Sequence, residues 1–236
     1  MFAEAAERFT QWIFGGACLL CRGAAREGLL CAPCNTDLPR LNEALCPRCA
    51  LPSPAGATCG RCLAYPPHFD ATIAALAYRF PADVLVHALK FRGELALAGL
   101  FARLLAERIG PGHGVRCVVP VPISVERLRE RGYNQALEIA RHLARATGTR
   151  LAPELCERVR NTPAQTGLPW AERARNVHGA FRAARPLEGA AIAVLDDVMT
   201  TGATLDEIAA TLKRAGAARV VGWVVARTFP PADGAA

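Results

Sequence analysis

The sequence predicts an α/β protein in which a parallel-sheet domain follows a small Cys-rich zinc-binding module. Three observations carry that expectation. Eight of the ten cysteines fall between Cys18 and Cys62 in four C-x-x-C pairs. Beyond Asp70, short apolar runs alternate with helix-like stretches. One of those runs ends in "VLDDVMTTGAT", Val194 to Thr204.

A chain of 236 residues accommodates one ordinary domain and a small attachment, and 52% hydrophobic residues argue against disorder. The longest apolar runs, such as Ala190 to Leu195, stop at six or seven residues. A membrane span needs roughly 18, so no membrane insertion is expected. The first residues, "MFAEAAERFTQW", hold two Glu and an Arg and lack the apolar stretch of a secretory signal, so a cytoplasmic location is expected. The net charge is +7, of which residues 1–66 carry +1 (six Arg against five acids) and the remainder +6. Such an excess favours phosphate-bearing partners without separating a nucleotide from a nucleic acid.

The cysteines define residues 1–66 as a metal module. A C-x-x-C turn presents two thiolates to one ion, and two such turns complete a tetrahedral site. Nine residues separate Cys21 from Cys31, and nine again separate Cys49 from Cys59. With no export signal, zinc is expected rather than disulfides. One or two structural Zn2+ ions fit the eight ligands. Neighbouring pairing (Cys18, Cys21, Cys31, Cys34, then Cys46, Cys49, Cys59, Cys62) is the simplest, and a cross-braced scheme fits equally well. Cys117 and Cys156 stand alone and read as small core hydrophobes.

Residues 67–236 form the second unit, after the proline punctuation of "YPPHFD". "ATIAALAYR" reads as a strand, Ala82 to Phe91 as a short helix, and Glu94 to Ile109 as an amphipathic helix. "RCVVPVP" is a strand closed by prolines, and Asn134 to Ala146 is a helix. A long polar stretch, Arg160 to Phe181, reads as a functional loop. "GAAIAVLDD" is a buried strand, Leu205 to Ala215 a helix, and "ARVVGWVVAR" a final strand. Continuous apolar strands between helices indicate a parallel sheet covered on both faces. Neither a Walker A loop nor a G-x-G-x-x-G motif occurs.

In such sheets, ligands bind beyond the carboxyl ends of the strands. Asp196 and Asp197 end a strand there, and the Thr200, Thr201, Gly202, Ala203, Thr204 loop turns into a helix. Backbone N–H groups and hydroxyls at a helix N-terminus surround an anion, and glycine lets the backbone close in. Carboxylates accept hydrogen bonds from hydroxyl donors. Acids beside an anion cradle therefore suit a sugar 5-phosphate: the acids hold the ribose and the loop holds its phosphate.

This string resembles the signature of type I phosphoribosyltransferases: apolar run, two acids, two apolar residues, T-T-G-x-T. Val194 and Leu195 supply the run, Asp196 and Asp197 the acids, Val198 and Met199 the apolar pair, and Thr200, Thr201, Gly202 and Thr204 the loop. "VPVPISVERLRERGYNQA" (Val119 to Ala136), "RNTPAQTGLPWAERARNVHGAF" (Arg160 to Phe181) and "LKFRGE" (Leu89 to Glu94), behind four C-x-x-C pairs, are together similar to the ComF family. The resemblance runs from Cys18 to about Thr228.

The resemblance implies a type I phosphoribosyltransferase-like domain that binds 5-phosphoribosyl-1-pyrophosphate (PRPP), with Mg2+ brought largely by the substrate. It implies Asp196 and Asp197 as the catalytic, ribose-binding acids, and Thr200, Thr201, Gly202, Ala203 and Thr204 as the 5′-phosphate loop. The turn after "VVPVP", with Arg127, Arg131 and the Gly132-Tyr133-Asn134-Gln135 segment, would face the pyrophosphate. Gln165, Arg173 and Asn176 would belong to a flexible loop closing over PRPP. Lys90 would reach the pyrophosphate or favour a helix dipole. It also implies a part in natural transformation, with single-stranded DNA and proteins of the DNA-uptake machinery as partners. Two alternatives stay open: nucleobase or nucleotide salvage, and a non-catalytic PRPP-sensing or DNA-binding module. Only 6% of residues are aromatic, and no base-stacking cluster is evident in the sequence.

Overall fold

A computed structural model describes residues 16–26, 28–42, 44–161 and 175–230. The Cys-rich segment is built from two similar halves. Strands β1 (Gly16–Ala17) and β2 (Ala24–Ala25) pair antiparallel around the first C-x-x-C turn. Two one-turn helices, α1 (Ala32–Thr36) and α2 (Gly60–Ala64), begin directly after Cys31 and Cys59. Each of those cysteines is an extended N-cap residue, so its sulfur sits at a helix N-terminus, where negative charge is favoured.

The second unit is a five-stranded parallel sheet in the order β3 (Ala71–Ala77), β9 (Arg219–Arg227), β8 (Ala191–Met199), β4 (Cys117–Pro120), β5 (Arg150–Leu151). Apolar strands buried on both faces explain the choice of a parallel sheet. Helices α3 (Ala82–Phe91) and α4 (Ala96–Ile109) follow β3. Helices α5 (Val125–Arg131) and α6 (Gln135–Thr147) follow β4, and α7 (Ala203–Arg214) joins β8 to β9. A small antiparallel pair, β6 (Cys156–Arg158) and β7 (Phe181–Ala183), stands apart from the sheet. Close packing of α7 on β9 depends on Gly222, where a Cβ would meet a Leu205 methyl at 2.4 Å. Among the described residues no helix is long and apolar enough to cross a membrane.

The Cys-rich segment lies against the sheet. Residues 39–41 run antiparallel to β3, with Leu41 N–H donating to Ala75 O (3.1 Å) and Ala77 N–H to Pro39 O (2.8 Å). The β3 edge of the sheet is thus paired at residues 75–77, which removes a site for unwanted strand addition.

The main strands and helices fall where the sequence places them, with two differences that bear on the site. Strand β8 does not stop at Asp197 but continues through Met199, because Val198 and Met199 keep their register against Ala226 and Arg227. The turn expected after "VVPVP" is short and leads into α5. Ser124 caps that helix by accepting from Arg127 N–H (3.3 Å), Glu126 stands in its first turn, and Gly132 ends it at φ 83°.

Candidate functional site: a crevice at the strand ends

The carboxyl ends of β4 and β8 open into a crevice of about 470 Å³. Asp196, Asp197 and the Thr200 to Thr204 loop form its floor, and Lys90, Phe91, Arg127, Arg131 and Arg158 stand in its walls.

Alternation along β8 gives the two acids different surroundings. Asp197 is 2% exposed, and its carboxylate lies 2.8 Å from Lys90 Nζ at the end of α3. Asp196 is half-buried and keeps a face toward the crevice. Burial, then the charge of Asp197, pushes the Asp196 carboxyl up to about 8, with Lys90 opposing. Burial works against the Lys90 ammonium, but the neighbouring Asp197 outweighs it and the net shift is upward. The site therefore balances its acids with an internal cation.

The loop beyond β8 is set by Gly202, which adopts φ 85° and precedes the first residue of α7. The Thr201 hydroxyl accepts from Ala203 N–H at 3.1 Å. The backbone N–H groups of Thr200, Thr201 and Gly202 find no partner among the described residues. Adjacent unpaired N–H groups at a helix start form a concavity suited to an anion.

Several residues singled out from sequence serve to build the walls. Asn134 caps α6, accepting from Ala136 N–H at 3.0 Å, while its amide donates to Val121 O at 3.0 Å. The Tyr133 hydroxyl donates to Leu89 O and ties down the last turn of α3. Arg131 donates to the Gln135 side chain and lies 5.3 Å from the centre of the Phe91 ring. Gly132 does not line the crevice: its left-handed backbone closes α5. Asn176 lies outside the crevice as well, its carbonyl accepting from Arg160 at 3.3 Å. Gln165 and Arg173 lie outside the described residues.

Sequence reasoning passed over Phe91 and Arg158. Phe91 is 64% exposed at the crevice wall, against His87 at 4.7 Å between ring centroids. Arg158 is driven below the usual guanidinium range by burial, then by the positive charges of Arg127 and Arg160. The signal for Phe91 was its place in "LKFRGE", one residue beyond Lys90.

In the Cys-rich segment the ligands gather in two groups, Cys18/Cys21/Cys31/Cys34 and Cys46/Cys49/Cys59/Cys62, with all sulfurs of a group within 4.8 Å of one another. Neighbouring pairs are therefore the scheme adopted, and the cross-braced one is not. Burial raises the Cys18 and Cys46 thiols, but backbone N–H donors outweigh it and hold them down to about 6 and about 7. Cys34 is pushed well up by hydrogen bonds with its neighbouring thiols, and Cys62 by burial and then by its neighbours. A divalent ion removes this conflict by drawing off the remaining protons. These are two zinc-binding sites of four cysteines each.

Residues 9–63 match the double zinc ribbon domain. The DNA utilization protein YhgH of Salmonella typhimurium is 36% identical over 91% of this chain and 98% of that protein. Competence protein F of Haemophilus influenzae is 30% identical over 91% of this chain and 98% of that protein. Competence protein ComFC of Bacillus subtilis is 26% identical over 81% of each. Among solved structures, the allosteric regulatory enzyme of purine biosynthesis aligns at 22% identity over 54% of this chain and 25% of that chain. Its TM-score of 0.35 is too low to bear on the fold.

Proposed function

This chain belongs to the ComF family of DNA utilization and competence proteins, and we propose that it binds PRPP with Mg2+ and handles single-stranded DNA in the cytoplasm. Asp196 and Asp197 accept hydrogen bonds from the ribose hydroxyls. The Thr200 to Thr204 loop takes the 5′-phosphate, and Arg127 and Arg131 face the pyrophosphate. The observation that carries this reading is the pairing of unpartnered N–H groups at Thr200 to Gly202 with two acids in one crevice. A bare phosphate has no use for carboxylates, whereas a sugar phosphate needs both.

Mg2+ bound to the pyrophosphate would neutralise the charge of the leaving group. The chain supplies orientation. Asp196 opens to the crevice for a hydroxyl donor, and Lys90 holds the Asp197 carboxylate in place. If a phosphoribosyl group is transferred, pyrophosphate leaves C1 through an oxocarbenium-like state, and catalysis rests on positioning and charge stabilisation.

The acceptor side favours a nucleic acid over a small neutral molecule. Phe91 offers an exposed ring for a base, and Arg158 offers charge for its phosphate. The test is fluorescence anisotropy with labelled single-stranded DNA, comparing wild type with Phe91→Ala. Weaker binding in a folded variant supports the reading. Equal binding removes Phe91 from the DNA path.

A further inference from the structure

Arg227 ends β9 and is completely buried, yet among the described residues none of its hydrogen-bond partners is a carboxylate. Its Nε donates to the carbonyl of Cys49, a ligand of the second zinc site, at 2.8 Å. Its Nη1 donates to the carbonyls of Met199 (2.9 Å), Thr200 and Thr228 (2.8 Å). Arg61, between ligands Cys59 and Cys62, donates from Nη2 to the carbonyl of Thr201 at 3.3 Å. Two guanidiniums beside the second zinc site therefore hold three successive carbonyls, those of residues 199, 200 and 201.

The consequence follows from peptide geometry. In a planar trans peptide the C=O of one residue and the N–H of the next point in opposite directions. Carbonyls drawn toward Arg227 and Arg61 turn the N–H groups of Thr200, Thr201 and Gly202 to the other side. Those are the groups with no partner among the described residues. A buried guanidinium also needs a counter-charge. A divalent ion on four thiolates carries a net charge of about −2.

We infer that Arg227 and Arg61 are positioning residues through which the second zinc centre, and not the first, orients the Thr200 to Gly202 peptides for phosphate. The zinc–thiolate cluster balances the two arginines, and the arginines hold the loop open toward the crevice. The affinity half of this inference rests on the PRPP reading; the orientation half does not.

The test uses the full chain and two readouts: amide resonances of Thr200, Thr201 and Gly202, and calorimetric titration with PRPP and Mg2+. Zinc content and melting temperature are measured alongside. Arg61→Ala, at an exposed position, is expected to keep both zinc ions, shift the Thr201 and Gly202 amides, and weaken PRPP about fivefold. Arg227→Lys is expected to weaken it about tenfold or more. Cys59→Ser should move the loop amides, whereas Cys21→Ser in the first centre should not. Unchanged loop amides in folded, zinc-loaded Arg61→Ala overturn the inference, and so do equal shifts from the two cysteine variants. If wild type binds no PRPP while the amides still respond to Arg61→Ala, the anchoring stands and the phosphate reading falls.

Discussion

Lys90 Nζ and the Asp197 carboxylate lie 2.8 Å apart, joining the end of α3 to the end of β8 inside the crevice. The pair sits at the meeting point of the two elements that carry the candidate chemistry, and Asp197 is nearly closed to solvent. Removing one partner of a buried pair strands the other charge, which costs about 3 kcal/mol or more. Lys90→Met is expected to lower stability by an amount of that order in urea unfolding. Lys90→Met with Asp197→Asn should recover most of the loss. A Lys90→Met variant as stable as wild type contradicts the assignment.

Burial and then the neighbouring Asp197 push the Asp196 carboxyl up to about 8, whereas an unfolded aspartate stays near about 3.9. Between those values the folded chain holds a proton that the unfolded chain has lost. Its contribution to stability is full below about pH 4 and is lost as the pH rises through about 8. Ligand binding should run the other way, since an ionised carboxylate accepts from ribose hydroxyls more readily. PRPP affinity is expected to rise from pH 6 to pH 8, approaching tenfold per unit where Asp196 is mostly protonated. A flat profile in calorimetry across that range contradicts it.

Gly202 stands at φ 85°, and an added Cβ would meet the Met199 methyl at 2.7 Å. The methyl is the far end of a flexible side chain, so the backbone conformation is the larger obstacle. Gly202→Ala is expected to cost about 1 kcal/mol of stability and to weaken PRPP binding. Thermal melting and titration of the same sample check both effects.

Metal analysis of the purified chain should return about two zinc equivalents, at four thiolates per ion. A strong chelator should unfold the Cys-rich segment, because so short a stretch buries little core of its own. The segment also pairs with β3 through residues 39–41, so hydrogen exchange at the donors Leu41 and Ala77 should quicken on chelation. Protection there that survives metal loss contradicts the dependence.

The parallel sheet was legible because its strands are continuous apolar runs and its longer helices carry apolar stripes. The zinc ligands were legible because C-x-x-C spacing is a local property. Helix α5 was not, since Val125 and Leu128 are its only large apolar residues and both are exposed; only the Ser124 cap and Gly132 marked its ends. The role of Arg227 left no trace in the sequence. Its partners Met199 and Cys49 lie 28 and 178 residues away, and an arginine ending an apolar strand reads as a solvated terminus. For Lys90 the sequence suggests pyrophosphate or a helix dipole, whereas its pairing with Asp197 depends on how α3 lies against β8.

Binding of PRPP through the two acids of the crevice is the central claim at this site. Calorimetric titration of PRPP with Mg2+ decides it, comparing wild type with the Asp196→Asn, Asp197→Asn double variant. Saturable binding to wild type and none to a folded double variant is the expected result. Equal binding by both would contradict it.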